Sequence, residues 1–201
     1  SITGEVSIAG NASAAATGSF ADVTGWTAGG VTISTSGNVT IQGREDGTVN
    51  LRRVTVSNAD SLYLLADNLL SSESSSLRAN NLFIDEAPSS NGSTRIGVPA
   101  FTSIDTTTGN VHIGSDSVEQ VSVGNDISVS GTVRLQAESV SVSDSILSGG
   151  GASSRVTILA DALDVNVSVK ADGGIISVDS NTAHRGIYLG GTTTSPLLSL
   201  T

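Results

Sequence analysis

The sequence predicts an all-β fold: a parallel β-helix, a solenoid whose turns take about 23 residues. Internal repetition is the first reason. Val133–Gly151, VRLQAESVSVSDSILSGGG, aligns without a gap on Val156–Gly174, VTILADALDVNVSVKADGG, at an offset of 23 residues. Val133 meets Val156, Leu135 meets Ile158, Ala137 meets Ala160, Val140 meets Leu163, Val142 meets Val165 and Ile146 meets Val169. A period near 23 suits one turn of a β-helix, since the longer helical repeats need roughly 33 residues or more. The second reason is the supply of core side chains. Aromatics make up 3% of the 201 residues, and Cys and Met are absent. A thick globular core draws on large rings, so this interior must be thin and filled by Val, Ile, Leu and Ala, as in a solenoid. The third reason is local preference. Val, Ile and Thr are stiff at χ1 and suit strands, and no long stretch shows the 3.6-residue apolar period of an amphipathic helix.

Taken in order, residues 1–30 are rich in Ala, Gly, Ser and Thr and contain the single Trp. They are expected to form an irregular first rung or a lateral hairpin, with Trp26 and Phe20 plugging an open end of the core. Residues 31–201 are expected to form the shaft, and 31–86 read as regular rungs. Leu62–Leu69, LYLLADNL, carries the full unit apolar-x-apolar-x-Ala-acid-x-apolar, and Leu77–Leu82, LRANNL, carries its latter part. Residues 87–108 hold two of the three prolines and little alternation. They are expected to loop out of the solenoid and return at Val111. Residues 109–180 are the most regular. Val111–Val118, VHIGSDSV, gives a weaker form of the unit, and G-N-V-x-I occurs at both Gly37–Ile41 and Gly109–Ile113. Alternating runs such as Val165-x-Val167-x-Val169 put every second side chain inside, and glycines at 149–151 and 173–174 suit corners. The last segment, SPLLSLT, is strand-like. Because solenoids need polar caps, the native protein is expected to continue.

Three phrases resemble those of bacterial large exoproteins of the filamentous haemagglutinin type. They are Arg185–Thr201 (RGIYLGGTTTSPLLSLT), SVSDSILSGGG followed by RVTILADALDV, and STRIGVPAFTSIDTTTGNVHI. The resemblance covers about residues 60–201. It implies a right-handed parallel β-helix and a secreted, extracellular location at the bacterial cell surface. It also implies export by two-partner secretion through an outer-membrane transporter, and adhesion to an unidentified receptor or glycan on a host or neighbouring cell. The Asn-Pro-Asn export motif of that family is not present here, so this piece would belong to the shaft.

The remaining chemistry argues mostly by exclusion. The net charge of −10 disfavours nucleic acid, which needs a basic surface, and anionic membranes. No apolar run approaches the roughly 18 residues of a membrane span, so membrane insertion is not expected. His112 and His184 lie far apart and belong to no HExxH or Cys/His cluster. Alternation in V-H-I points His112 outward as a solvated side chain. Asp67, Asp116, Glu138 and Asp161 occupy equivalent places in the repeat unit. Stacked on successive turns, they would form a column about 5 Å apart, a candidate for Ca²⁺ through carboxylate oxygens or simply a row of solvated corner residues. Lys170 is the only Lys and the Arg residues are scattered, so no catalytic residue is assigned. The expectation is a non-catalytic, monomeric, structural and adhesive rod segment. The alternatives are a carbohydrate-binding or polysaccharide-degrading β-helix and a phage tailspike-like fibre segment.

Overall fold

The computed structural model describes residues 6–9, 20–24, 31–42, 48–52, 54–66, 68–71, 75–86, 94–98, 102–104, 109–182 and 188–189. The strands, in order, are β1 (Val6–Ala9), β2 (Phe20–Thr24), β3 (Val31–Ser34), β4 (Val39–Gln42), β5 (Thr48–Arg52), β6 (Val54–Leu65) and β7 (Asn68–Ser71). They continue as β8 (Ser75–Asp85), β9 (Arg95–Val98), β10 (Thr102–Ile104), β11 (Asn110–Ile113), β12 (Gln120–Val123), β13 (Ile127–Val129) and β14 (Thr132–Val142). The chain then runs through β15 (Ile146–Ser148), β16 (Arg155–Val165), β17 (Val169–Ala171), β18 (Ile175–Asp179) and β19 (Tyr188–Leu189).

Every pairing is parallel, and the strands fall into three columns that form the faces of a β-solenoid. The first column is β3, the start of β6, the start of β8, β10, β13, β15 and β17. The second is β1, β4, the end of β6, the end of β8, β11, the start of β14, the start of β16 and β18. The third holds β2, β5 and β7, then β9, β12, the end of β14, the end of β16 and β19. Val31↔Val54, Ile104↔Ile127, Val133↔Val156 and Ile146↔Val169 each lie 23 residues apart. The interval shrinks to 19 between Ile127 and Ile146 and stretches to 29 between Leu82 and Val111.

The repeat unit marks a corner. β14 and β16 each pass through two faces and bend at Ala137 and Ala160, which are fully buried and in register. At this inside corner Ala recurs on β14 and β16, and the following acid points outward. The same residue recurs at the corner between the first and second faces, where Ala59 pairs with Ala79. LRANNL therefore sits at a different corner from LYLLADNL: Leu82 pairs with Leu62, the first residue of the latter. At the Ala59 corner Asn58 takes φ 60° beside an irregularity in the register, a left-handed conformation that Asn tolerates better than most residues.

The core is a continuous aliphatic column. Among the described residues every buried apolar side chain is Val, Ile, Leu or Ala. Two buried hydroxyls bond to the backbone of other segments. The Ser148 hydroxyl donates to the Gly131 carbonyl and accepts from the Arg155 N–H at 3.1 Å, and Ser75 Oγ accepts from the Val54 N–H at 3.2 Å.

One expectation needs correction, and another narrows to one of its two alternatives. Residues 87–108 do not simply loop out. β9 and β10 lie within this stretch and are built into the third and first columns, with Ile96, Val98 and Ile104 in the core. At the N-terminus, β1 and β2 pair in parallel with β4 and β5. Of the two alternatives for residues 1–30 these strands fit the rung and not the hairpin, whose arms would be antiparallel. Trp26 lies outside the described residues.

Candidate functional site

Two outward features could carry chemistry: an acidic corner and a ladder of rings. The acidic corner follows from the strand register. Ala137 pairs with Ala160 and Ser139 with Ala162, so Glu138 and Asp161 stand next to each other on successive turns. The third acid is not Asp116. Gln120 pairs with Ser139, and the Ser139 N–H donates to the Glu119 carbonyl at 3.0 Å, which puts Glu119 beside Glu138.

The cause of the shift is local. Gly114 (φ 80°) leaves the second face where a Cβ would lie 2.1 Å from the Gln136 carbonyl oxygen, and Ser115–Ser117 make an extra turn. The chain rejoins the ladder at Val118, fully buried in the corner place that Ala137 takes one turn on. Asp116 is left exposed on that turn. Asp67 lies outside the described residues, as does His184.

Glu119, Gln120, Glu138, Ser139, Asp161 and Ala162 line an open groove of about 500 Å³. Its acids are engaged to different degrees. Arg95 forms an exposed ion pair with Glu119 at 3.2 Å. Asp161 Oδ1 accepts from Ser180 Oγ at 2.7 Å and from the Thr182 N–H at 2.9 Å, and its Oδ2 accepts from Thr182 Oγ1 at 2.6 Å. Asp161 thus ties the 180–182 segment onto the corner. Among the described residues no group of three His, Cys, Asp or Glu side chains is arranged to hold a metal ion.

The second feature runs along the outside of the second face. Tyr63, Phe83, His112 and Arg134 are in register on successive turns. The Tyr63 and Phe83 rings stack with centroids 4.9 Å apart and planes 8° from parallel. Phe83 and His112 lie 6.1 Å apart, tilted by 57°. Tyr63 and Phe83 turn their faces toward each other along the rod, so the facing sides of this pair are not open to a sugar. His112 points outward, as alternation requires, yet it is half-buried and not fully solvated. Burial first, and then the Arg134 guanidinium, hold its imidazole below the ordinary value of 6.5, against an opposing pull from Asp85. Sequence reasoning missed this ladder because its members are 20, 29 and 22 residues apart.

A polar ladder borders the same face. Asn110 donates from Nδ2 to Asn81 Oδ1 at 2.9 Å, and its Oδ1 accepts from the N–H and Oγ1 of Thr132 at 3.1 and 2.9 Å. Such bonds fix register between turns and leave no reactive group behind. No protein-family model, curated protein or solved structure matches this chain.

Proposed function

We propose that the chain is a non-catalytic rod segment of a secreted bacterial surface exoprotein, a passenger repeat that spaces and displays an adhesive surface. One observation carries this reading. From β11 through β14 to β16 the turns stack residue on residue, with Val111, Val133 and Val156 and then Ile113, Leu135 and Ile158 fully buried in line. Such a column advances about 4.8 Å per turn and is supported only by its neighbours, which suits a stiff spacer. Its acidic exterior, part of a net charge of −10, keeps a β-rich surface from self-association. Secretion through an outer-membrane transporter, display at the cell surface and a receptor or glycan partner rest on the resemblance of the 93–113, 141–165 and 185–201 phrases to haemagglutinin-type exoproteins.

A second reading, a carbohydrate-binding or polysaccharide-degrading β-helix, is favoured by the acid-lined corner groove. Against it, the Arg95–Glu119 pair and the Asp161 tether already employ two of its three acids in structural contacts.

The deciding experiment incubates the chain with a panel of acidic polysaccharides and displays it on beads against host-type cells and a glycan array. The rod reading expects no chain scission, together with bead adhesion. Depolymerisation that Glu138→Gln abolishes would overturn it.

A further inference from the structure

β18 is a thinly packed rung. Among the described residues it pairs along one edge only, with β16. Ile176 and Val178 are half-buried where Val156 and Ile158 beneath them are fully buried, and Ile175 is 55% exposed. A solenoid turn contacts only its neighbours, so a rung of this kind should open first and alone.

Two segments that leave the ladder meet on the outside of the rod. β18 leaves after Asp179, which pairs with Leu159. Ser180 and Thr182 then bond to Asp161, one turn down. Asn181 reaches further. Its Oδ1 accepts from Gln136 Nε2 at 3.0 Å, and its Nδ2 donates to the Asp116 carbonyl at 3.3 Å. These bonds span 45 and 65 residues, whereas the Ser180–Asp161 and Ser141–Ser122 bonds each span 19. Ile113, Leu135, Ile158 and Val178 pair in succession, so the partners of Asn181 belong to rungs two and three turns away, roughly 10 and 14 Å along the rod. The extra turn at Ser115–Ser117 and the departure of 180–182 together bridge that distance.

Both ends of the bridge are held. Arg134 Nη2 donates to Gln136 Oε1 at 2.6 Å, which leaves the Gln136 amide nitrogen aimed at Asn181. Ser115 Oγ donates to Asp85 Oδ1 at 2.9 Å, and Ser117 Oγ donates to Glu86 Oε1, on the turn before.

We propose that the 115–117 turn and the 180–182 segment are the two halves of one clasp. It runs along the rod axis and ties β18 to the three rungs beneath it, so β18 does not peel away alone. The device belongs to the solenoid itself and holds whether or not the rod displays an adhesive surface.

Native-state hydrogen exchange on the full chain, read by NMR, tests the clasp. The Ile175 N–H, which donates to the Ser154 carbonyl at 3.0 Å, reports on β18. The Glu138 N–H, which donates to the Val118 carbonyl at 2.9 Å, reports on the rung of Gln136. Gln136→Ala should speed Ile175 exchange about fivefold from two turns away and change Glu138 exchange by less than about twofold. Asn181→Ala should speed Ile175 at least as much, and the double variant should be no faster than Asn181→Ala, because both cut the same tie. Ser139→Ala, on the rung of Gln136 but off the clasp, should leave Ile175 unmoved. Greater acceleration at Glu138 than at Ile175 overturns the proposal, as do single effects that multiply in the double variant or an equal acceleration by Ser139→Ala. Asn181 is half-exposed and lies beyond the last residue of β18, so its truncation spares the core, and Ile175 exchange unchanged in Asn181→Ala is by itself enough to sink the clasp.

Discussion

Leu135→Ala probes how the interior holds together. Leu135 is fully buried, and its in-register neighbours Ile113 and Ile158 are fully buried on the turns to either side. The substitution removes three carbons, and at about 0.8 kcal/mol for each buried methylene the transfer loss is about 2.4 kcal/mol. The ladder keeps adjacent turns about 4.8 Å apart, so Ile113 and Ile158 cannot close on the gap. The residual cavity adds about 1 kcal/mol. The expected loss is about 3–4 kcal/mol in urea unfolding followed by circular dichroism, with the m-value unchanged. A second comparison makes the test specific to stacking. Leu135→Ala and Ile158→Ala share one cavity and should be non-additive by about 0.5 kcal/mol or more, whereas Leu135→Ala and Val56→Ala, on different columns, should add. A loss below about 1 kcal/mol, or equal coupling in both pairs, refutes the stacked aliphatic column.

Three further perturbations follow from the corners. Gly131→Ala places a Cβ 1.9 Å from the Gly109 carbonyl oxygen, so it should force two turns apart and lower the thermal midpoint, whereas Gly97→Ala, whose Cβ meets nothing within 4 Å, should leave it nearly unchanged. Ala160→Leu overfills a fully buried corner and should cost about 1–3 kcal/mol by urea unfolding; neutrality would show the corner to be roomy. Asp161→Ala removes the acceptor of the Thr182 N–H and should speed Thr182 amide exchange about tenfold, equivalent to ~1.4 kcal/mol, while unaltered exchange would mean the 180–182 segment is held by other contacts.

Much of the fold was legible because inward positions demand one chemistry at one spacing. All six apolar matches between 133–146 and 156–169 recur as strand pairs. The two G-N-V-x-I phrases also share a column, since Val39, Leu62, Leu82, Val111 and Val133 pair in succession. Legibility ended where turn length varies. The extra turn at Ser115–Ser117 moved the acid of that rung from Asp116 to Glu119, and no spacing rule signals such an insertion. β9 and β10 hid in 87–108 because strands of four and three residues put only Ile96, Val98 and Ile104 inside, too few for alternation to stand out beside two prolines. LRANNL matches the latter part of the unit yet lies at a different corner from LYLLADNL, because two corners of one coil take the same small residue. Outward residues are under no such demand, so the Tyr63–Phe83–His112–Arg134 ladder emerges only once the turns are stacked.

Cross-linking tests the stacking most directly, since the chain has no cysteine of its own. Ser141 and Asp164 are in register on adjacent turns, their Cα atoms about 4.8 Å apart by strand spacing, within reach of a disulfide. Ser139 and Asp164 are two residues out of register, which sets them about 8 Å apart, beyond that reach. Mild oxidation of the double variants, read by intact mass and gel mobility, should join Ser141→Cys to Asp164→Cys readily within one chain. The Ser139→Cys/Asp164→Cys pair should stay reduced. Closure of the offset pair in preference to the matched one would contradict a solenoid of 23-residue turns.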